Sequence, residues 1–191
     1  MVKRFLAVML AFATMFSATA IAADFDVDKA HAYVNFEVDH LGIAPNWGRF
    51  NDIGGNFSFD SAKPEAASFH IVIAAASVDT ANQKRDDHLK GPDFFNSKQF
   101  PEITFKSTKI EKKGDMLHVH GDLTMLGATQ SVTFAMKETG SGTDPWGNDR
   151  VGFTGSTTIK RSDFAMDYGL AKGTIGDEVK IHVALEGVKK K

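Results

Sequence analysis

The chain has 191 residues, a formal net charge of −2 and no cysteine, which excludes disulfides, thiolate nucleophiles and thiolate metal sites and leaves no basic excess to meet nucleic-acid phosphates. Of its aromatic residues 16 are Phe, against two Trp and two Tyr, so stability without disulfides rests on burying large apolar side chains.

Lys3 and Arg4 precede an apolar run from Phe5 to Phe16, and Ala20-Ile21-Ala22 presents small residues at a peptidase site. The pattern predicts a secretory signal peptide over residues 1–22, cleaved after Ala22. The run is about a dozen residues, against the roughly 18 of a spanning helix. Residues 23–191 then form one exported domain with 20 basic and 24 acidic residues and no segment for stable membrane insertion.

Strand one is expected over Ala30 to His40, with Val34, Phe36 and Val38 on one face and Tyr33, Asn35 and Glu37 on the other. Leu41 to Gly48, with Gly42, Pro45 and Gly48, reads as a loop. Strand two covers Asn51 to Asp60, with Ile53, Gly55, Phe57 and Phe59 on one face and a bend at its glycines. Strand three, Ala67 to Val78, places Phe69, Ile71, Ile73 and Ala75 inward, and its other face is apolar enough to need a cover. From Thr80 to Gln99 the alternation stops, which predicts a short helix or ordered loop, the nearest candidate for that cover, pinned by Leu89, Phe94 and Phe95. Strand four carries Ile103, Phe105 and Ser107, and Lys112 to Asp115 turns into strand five with Leu117, Val119, Gly121 and Leu123. Strand six runs from Thr129 to Lys137, a Gly-rich loop from Gly140 to Asn148, strand seven through Val151, Phe153, Gly155, Thr157 and Ile159, and strand eight through Val179, Ile181, Val183 and Leu185.

Eight strands joined mostly by short turns predict an all-β antiparallel meander, and eight is the number at which such a sheet closes into a barrel holding one small ligand. Closed in this way, it turns Phe36, Val38, Phe57, Phe59, Phe69, Ile71, Ile73, Ile103, Phe105, Phe134, Phe153, Val179, Ile181 and Val183 inward. They are either a packed core or, with Gly55, Gly121, Gly155 and Thr157 among them, the walls of a space for a long apolar guest.

His118 and His120 share one side of a strand at a metal-binding spacing, but Leu117 and Val119 claim the inside and no third ligand is near in sequence, so no metal is assigned. Arg85, Asp86, Asp87 and His88 form the densest titratable cluster. It reads as a surface ion-pair and capping group, with Arg85, Asp86 and His88 as candidates for a ligand's polar end. No Gly-x-Ser-x-Gly elbow or phosphate-binding glycine loop is present, so neither catalytic residues nor a cofactor are assigned. Asn56-Phe57-Ser58 matches a glycosylation sequon but falls inside a strand.

Ser77-Val78-Asp79-Thr80, Arg85-Asp86-Asp87-His88-Leu89, Asp93-Phe94-Phe95 and Phe100-Pro101-Glu102-Ile103-Thr104-Phe105, with Phe36 to Gly42, Gly121 to Gly127 and Asp144-Pro145-Trp146-Gly147, resemble the signature of the YceI-like family of periplasmic lipid-binding proteins. The resemblance implies a lipocalin-like barrel whose channel holds an isoprenoid chain, such as a polyprenyl quinone or precursor, in a periplasmic binding or carrier protein that is not an enzyme. It is also compatible with a homodimer. Two other readings stand beside it: a lipid-modifying enzyme using His88 with Asp86 or Asp87 at the barrel mouth, and a filled barrel that partners a membrane redox protein.

Overall fold

Alternating apolar residues give eleven strand segments and one short α-helix in the computed structural model, which describes residues 22–191. Residues 1–21 of the expected signal peptide lie outside the described residues. The elements are β1 (Ala23–Val27), β2 (Tyr33–His40), β3 (Ala44–Phe50), β4 (Ile53–Phe59), β5 (Ser68–Ala74), β6 (Val78–Asp79), α1 (Gln83–Leu89), β7 (Glu102–Lys113), β8 (Met116–Met125), β9 (Ala128–Thr143), β10 (Asp149–Lys160) and β11 (Ile175–Lys189). No helix among the described residues is long and apolar enough to cross a membrane.

Hydrogen bonding runs β1-β4-β5-β7-β8-β9-β10-β11 and returns to β1 through Phe25 opposite Lys189 and Val27 opposite Gly187. This is an eight-stranded closed antiparallel barrel. The remaining segments extend three of its strands. β2 pairs farther along β11, with Val34 opposite Val183 and Val38 opposite Val179. β3 pairs with β2, and β6 meets β3 at Arg49 and Phe50. Thus β1 with β2, β3 with β4, and β5 with β6 are single strands interrupted by 3-10 turns at Lys29–His31 and Ala75–Ser77 and by a bend at Asn51 and Asp52.

Three strands differ from expectation. β1 is short, yet its Phe25 and Val27 are buried, and it supplies the closing ladder. β3 occupies most of the expected loop, because Gly48 accepts the ring of Phe36 against its backbone and Phe50 is buried at its end. Pro45 is tolerated there since β6 reaches only Arg49 and Phe50, so the rest of β3 has β2 alone beside it. β9 also runs on to Thr143, which shrinks the expected Gly-rich loop to residues 144–148. There Asp144 accepts hydrogen bonds from the amides of Trp146 and Asn148 at 3.0 and 2.9 Å.

β6 has no partner on the side of β7. The segment from Thr80 to Phe100, including α1, lies across this gap as a lid. Asn82 caps α1 by accepting from the Arg85 amide at 3.1 Å.

Candidate functional site

Inward side chains leave a cavity of about 1200 Å³, its open end included, along the barrel axis. Eleven of the fourteen residues expected on its wall are there: Phe36, Val38, Phe69, Ile71, Ile73, Ile103, Phe105, Phe134, Val179, Ile181 and Val183. The other three, Phe57, Phe59 and Phe153, face inward but do not line it. Phe153 is met edge-on by Phe59, Phe69 and Phe57 at ring-centre distances of 4.9, 5.4 and 5.6 Å, and Phe25 stacks on Phe57 at 5.1 Å. These rings form a plug that stops the channel at one end, because edge-to-face packing fills the cross-section.

The inward glycines do not create the space. A Cβ on Gly121 would lie 2.5 Å from the ring of Phe105, which covers the bare backbone there. Gly55 has φ +118 and no room for a side chain against the His70 carbonyl, so it serves a backbone bend.

At the far end the lid contributes Leu89, Phe94 and Phe95 to the lining, and the loop from Arg161 to Thr174 contributes Arg161 and Met166. The lid therefore caps the mouth and does not cover the outer face of β5 as expected. Its charged cluster fastens it. Asp86, one of two buried charged residues among those described, accepts from the Thr80 amide at 2.8 Å and from the Thr80 hydroxyl. Arg85 donates to the Thr80 hydroxyl at 2.7 Å and its carbonyl at 2.8 Å. His88 pairs with Asp93 at 2.9 Å and meets the rings of Phe94 and Tyr168 edge-on. None of Arg85, Asp86 and His88 lines the cavity, so the proposed head-group cluster is the lid's anchorage.

The second buried charge is Arg161, and it is the only polar residue in the lining. It is 2 % exposed and donates to the carbonyls of Gly176, Met166 and Ile175 at 2.7, 2.6 and 3.0 Å. Desolvation by burial pulls its guanidinium below the ordinary value, with the charges of Asp177 and Asp167 acting the other way. Sequence reading missed it, although the inward parity of Val151, Phe153, Gly155, Thr157 and Ile159 points directly to position 161.

His118 and His120 face outward, and His120 meets the Thr133 hydroxyl at 2.8 Å. Among the described residues, Asp28, His31 and Glu186 come close enough to share a metal. The Arg150 guanidinium already sits there, 2.6 Å from both carboxylates, and supplies the positive charge.

The YceI-like domain family matches residues 25–187. Protein YceI of Escherichia coli O157:H7 is 44% identical over 186 residues, 95% of this chain and 96% of that protein. The crystal structure of the Campylobacter jejuni YCEI protein superposes with a TM-score of 0.73 at 28% identity, covering 98% of this chain and 100% of that one. A polyisoprenoid binding domain from Saccharophagus degradans, implicated in plant cell wall breakdown, shares the fold with a TM-score of 0.66 at 14% identity, over 89% of this chain and 100% of that one.

Proposed function

The chain belongs to the YceI-like domain family, and on that premise we propose that it is a periplasmic binding or carrier protein that sequesters the isoprenoid tail of a long-chain amphiphile. The observation that carries this reading is the channel itself, whose lining among the described residues is apolar but for Arg161. A tail that moves several hundred square ångströms from water into it gains on the order of 10 kcal/mol before ordering costs. The plug of Phe rings stops the tail, and the lid covers the head. The name of the Saccharophagus degradans domain supports an isoprenoid in preference to another apolar guest, and the leader-like residues 1–22 support export.

The same geometry favours a binding protein over an enzyme. Asp86 is committed to Thr80 and His88 to Asp93, and neither lines the cavity, so this pair does not face a bound lipid. An open channel also opposes the filled barrel of a purely protein-binding partner.

Native mass spectrometry of the mature protein purified from its own periplasm, followed by organic extraction, tests the reading. A stoichiometric isoprenoid adduct is the expected result, and the same spectrum reports monomer or homodimer. Failure of the purified apoprotein to take up any prenyl lipid offered in micelles would refute it.

A further inference from the structure

The turn between β2 and β3 holds a residue in a conformation it does not favour. Leu41 and Gly42 have φ of +60 and +65, and the Ile43 amide donates to the His40 carbonyl at 3.1 Å to close the turn. Asn, Asp or Gly is the usual choice where Leu41 stands, because left-handed backbone crowds a Cβ against the next carbonyl. The turn between β8 and β9 repeats the pattern, with Leu126 at φ +56 and Gly127 at φ +76. There the leucine packs against the core, which offsets the strain. Leu41 is instead 50 % exposed, and Ile43 beside it is 80 % exposed. Packing accounts for Leu126 and leaves Leu41 and Ile43 without a role in the fold.

Their place is the mouth of the channel. The Leu41 amide donates to the Thr174 carbonyl at 3.1 Å, next to Ile175, which lines the cavity and pairs with His40. On the neighbouring loop the exposed ring of Tyr168 lies 5.1 Å from that of Phe94, a lid residue in the lining. From Leu41 to Gly48 no residue is charged.

We propose that the β2–β3 tip, together with Tyr168, docks the protein mouth-down on a lipid bilayer, so that the amphiphile passes between bilayer and channel without crossing water. The inference rests on the channel reading above and adds the partner from which the channel is filled. The cargo is what favours a bilayer over a protein: a tail that gains by leaving water resides in a bilayer before it is carried, and a mouth held away from one returns it to water. Contact is shallow. From Ala44 to Gly48, β3 has β2 alone beside it, and unpaired backbone groups do not enter hydrocarbon. Leu41 and Ile43 therefore insert, while β3 stays at head-group level, where its exposed Trp47 is well placed. Charge is not the attraction, since Asp167 and Lys172 are both exposed on the same loop.

The test uses delipidated mature protein and vesicles of phosphatidylethanolamine and phosphatidylglycerol without prenyl lipid, so that docking is read apart from loading. The natural protein is expected to float with the vesicles equally at low and high salt. The double variant Leu41→Asn with Ile43→Asn is expected to partition about tenfold less. Its melting temperature should be equal or higher, because Asn suits the turn, and its uptake of a prenyl alcohol from detergent micelles should be unchanged. Transfer of that alcohol from loaded vesicles is expected to slow by a similar factor. A nitroxide quencher on the lipid head group is expected to quench Trp47 in Trp146→Phe and to leave Trp146, on the turn at the plug end, bright in Trp47→Phe. Failure of the natural protein to float, equal flotation of the double variant, or quenching of Trp146 instead of Trp47 overturns the inference and leaves the channel reading standing. So does a natural dimer that the double variant turns into monomers with transfer unchanged, which makes the tip a contact between copies. If the natural protein floats but takes up no prenyl lipid from micelles, docking stands and the channel reading falls.

Discussion

Phe153→Ala removes the ring on which the channel's blind end is built. The side chain is 1 % exposed and is met edge-on by three other Phe rings between 4.9 and 5.6 Å. A buried Phe→Ala change costs about 3–5 kcal/mol, and the upper part of that range is expected because each aromatic pair adds about 0.5–1.5 kcal/mol beyond area burial. For a domain of this size that is a fall in melting temperature of about 6–20 °C. The vacated space adjoins the channel through Phe69, which belongs to both plug and lining. A longer tail is therefore expected to enter it and to restore part of the lost stability. Urea melts of delipidated protein measure the cost, and competition with prenyl alcohols of increasing length measures the longest tail accepted. A loss below about 1 kcal/mol, or an unchanged longest tail, would refute the assignment of these rings as the stop.

Gly121→Ala is expected to cost about 1–3 kcal/mol, since its Cβ would fall 2.5 Å from the Lys106 carbonyl, which belongs to the neighbouring strand and cannot swing away; thermal melts check this, and weaker lipid uptake follows as the Phe105 ring is pushed into the channel. Asp86→Ala removes the acceptor that holds the Thr80 amide, a local loss of about 1.5–3 kcal/mol; amide exchange is expected to quicken between residues 80 and 100 while β7 to β10 keep their protection. The Asp28 carboxyl is held down to about 2 by its hydrogen bonds with His31 and then Arg150. A depressed carboxylate contributes stability above its ordinary value and loses it as pH falls through the folded one, so the urea midpoint is expected to drop between about pH 4 and pH 2, and less steeply in Asp28→Asn. Equal slopes for the two proteins would remove Asp28 from the acid response.

Side-chain parity was readable throughout the barrel because a period of two admits only two phases and one of them is apolar. It placed Phe36, Ile71, Ile181 and Val183 on the inner face, the last two because they alternate with Lys180 and His182. Parity does not say at what level along the axis a residue sits. Phe57, Phe59 and Phe153 were given the right face and the wrong surroundings, since rings from four strands meet there only after the register is set. β3 was hidden by Pro45 and Gly48, whose usual meaning as loop formers is overridden by the half-paired edge and the Phe36 ring. The lid's purpose was hidden because Asp86 reveals itself only through Thr80, six residues earlier.

The barrel is closed by β11, which alone holds β10 on one side and both β1 and β2 on the other. Most neighbouring strands are also neighbours in sequence and can zip up locally, but this junction joins residues near 30 to residues near 180. Bringing such distant segments together carries a loop-closure cost of about 4 kcal/mol from its length-dependent part, so the junction is expected to form last and to set the refolding rate. Until it forms, the future channel is an open trough with its phenylalanines facing water. An apolar chain present at that moment is expected to be enclosed as the sheet shuts, so refolding in the presence of a prenyl lipid is expected to load the channel more fully than adding the lipid to folded protein.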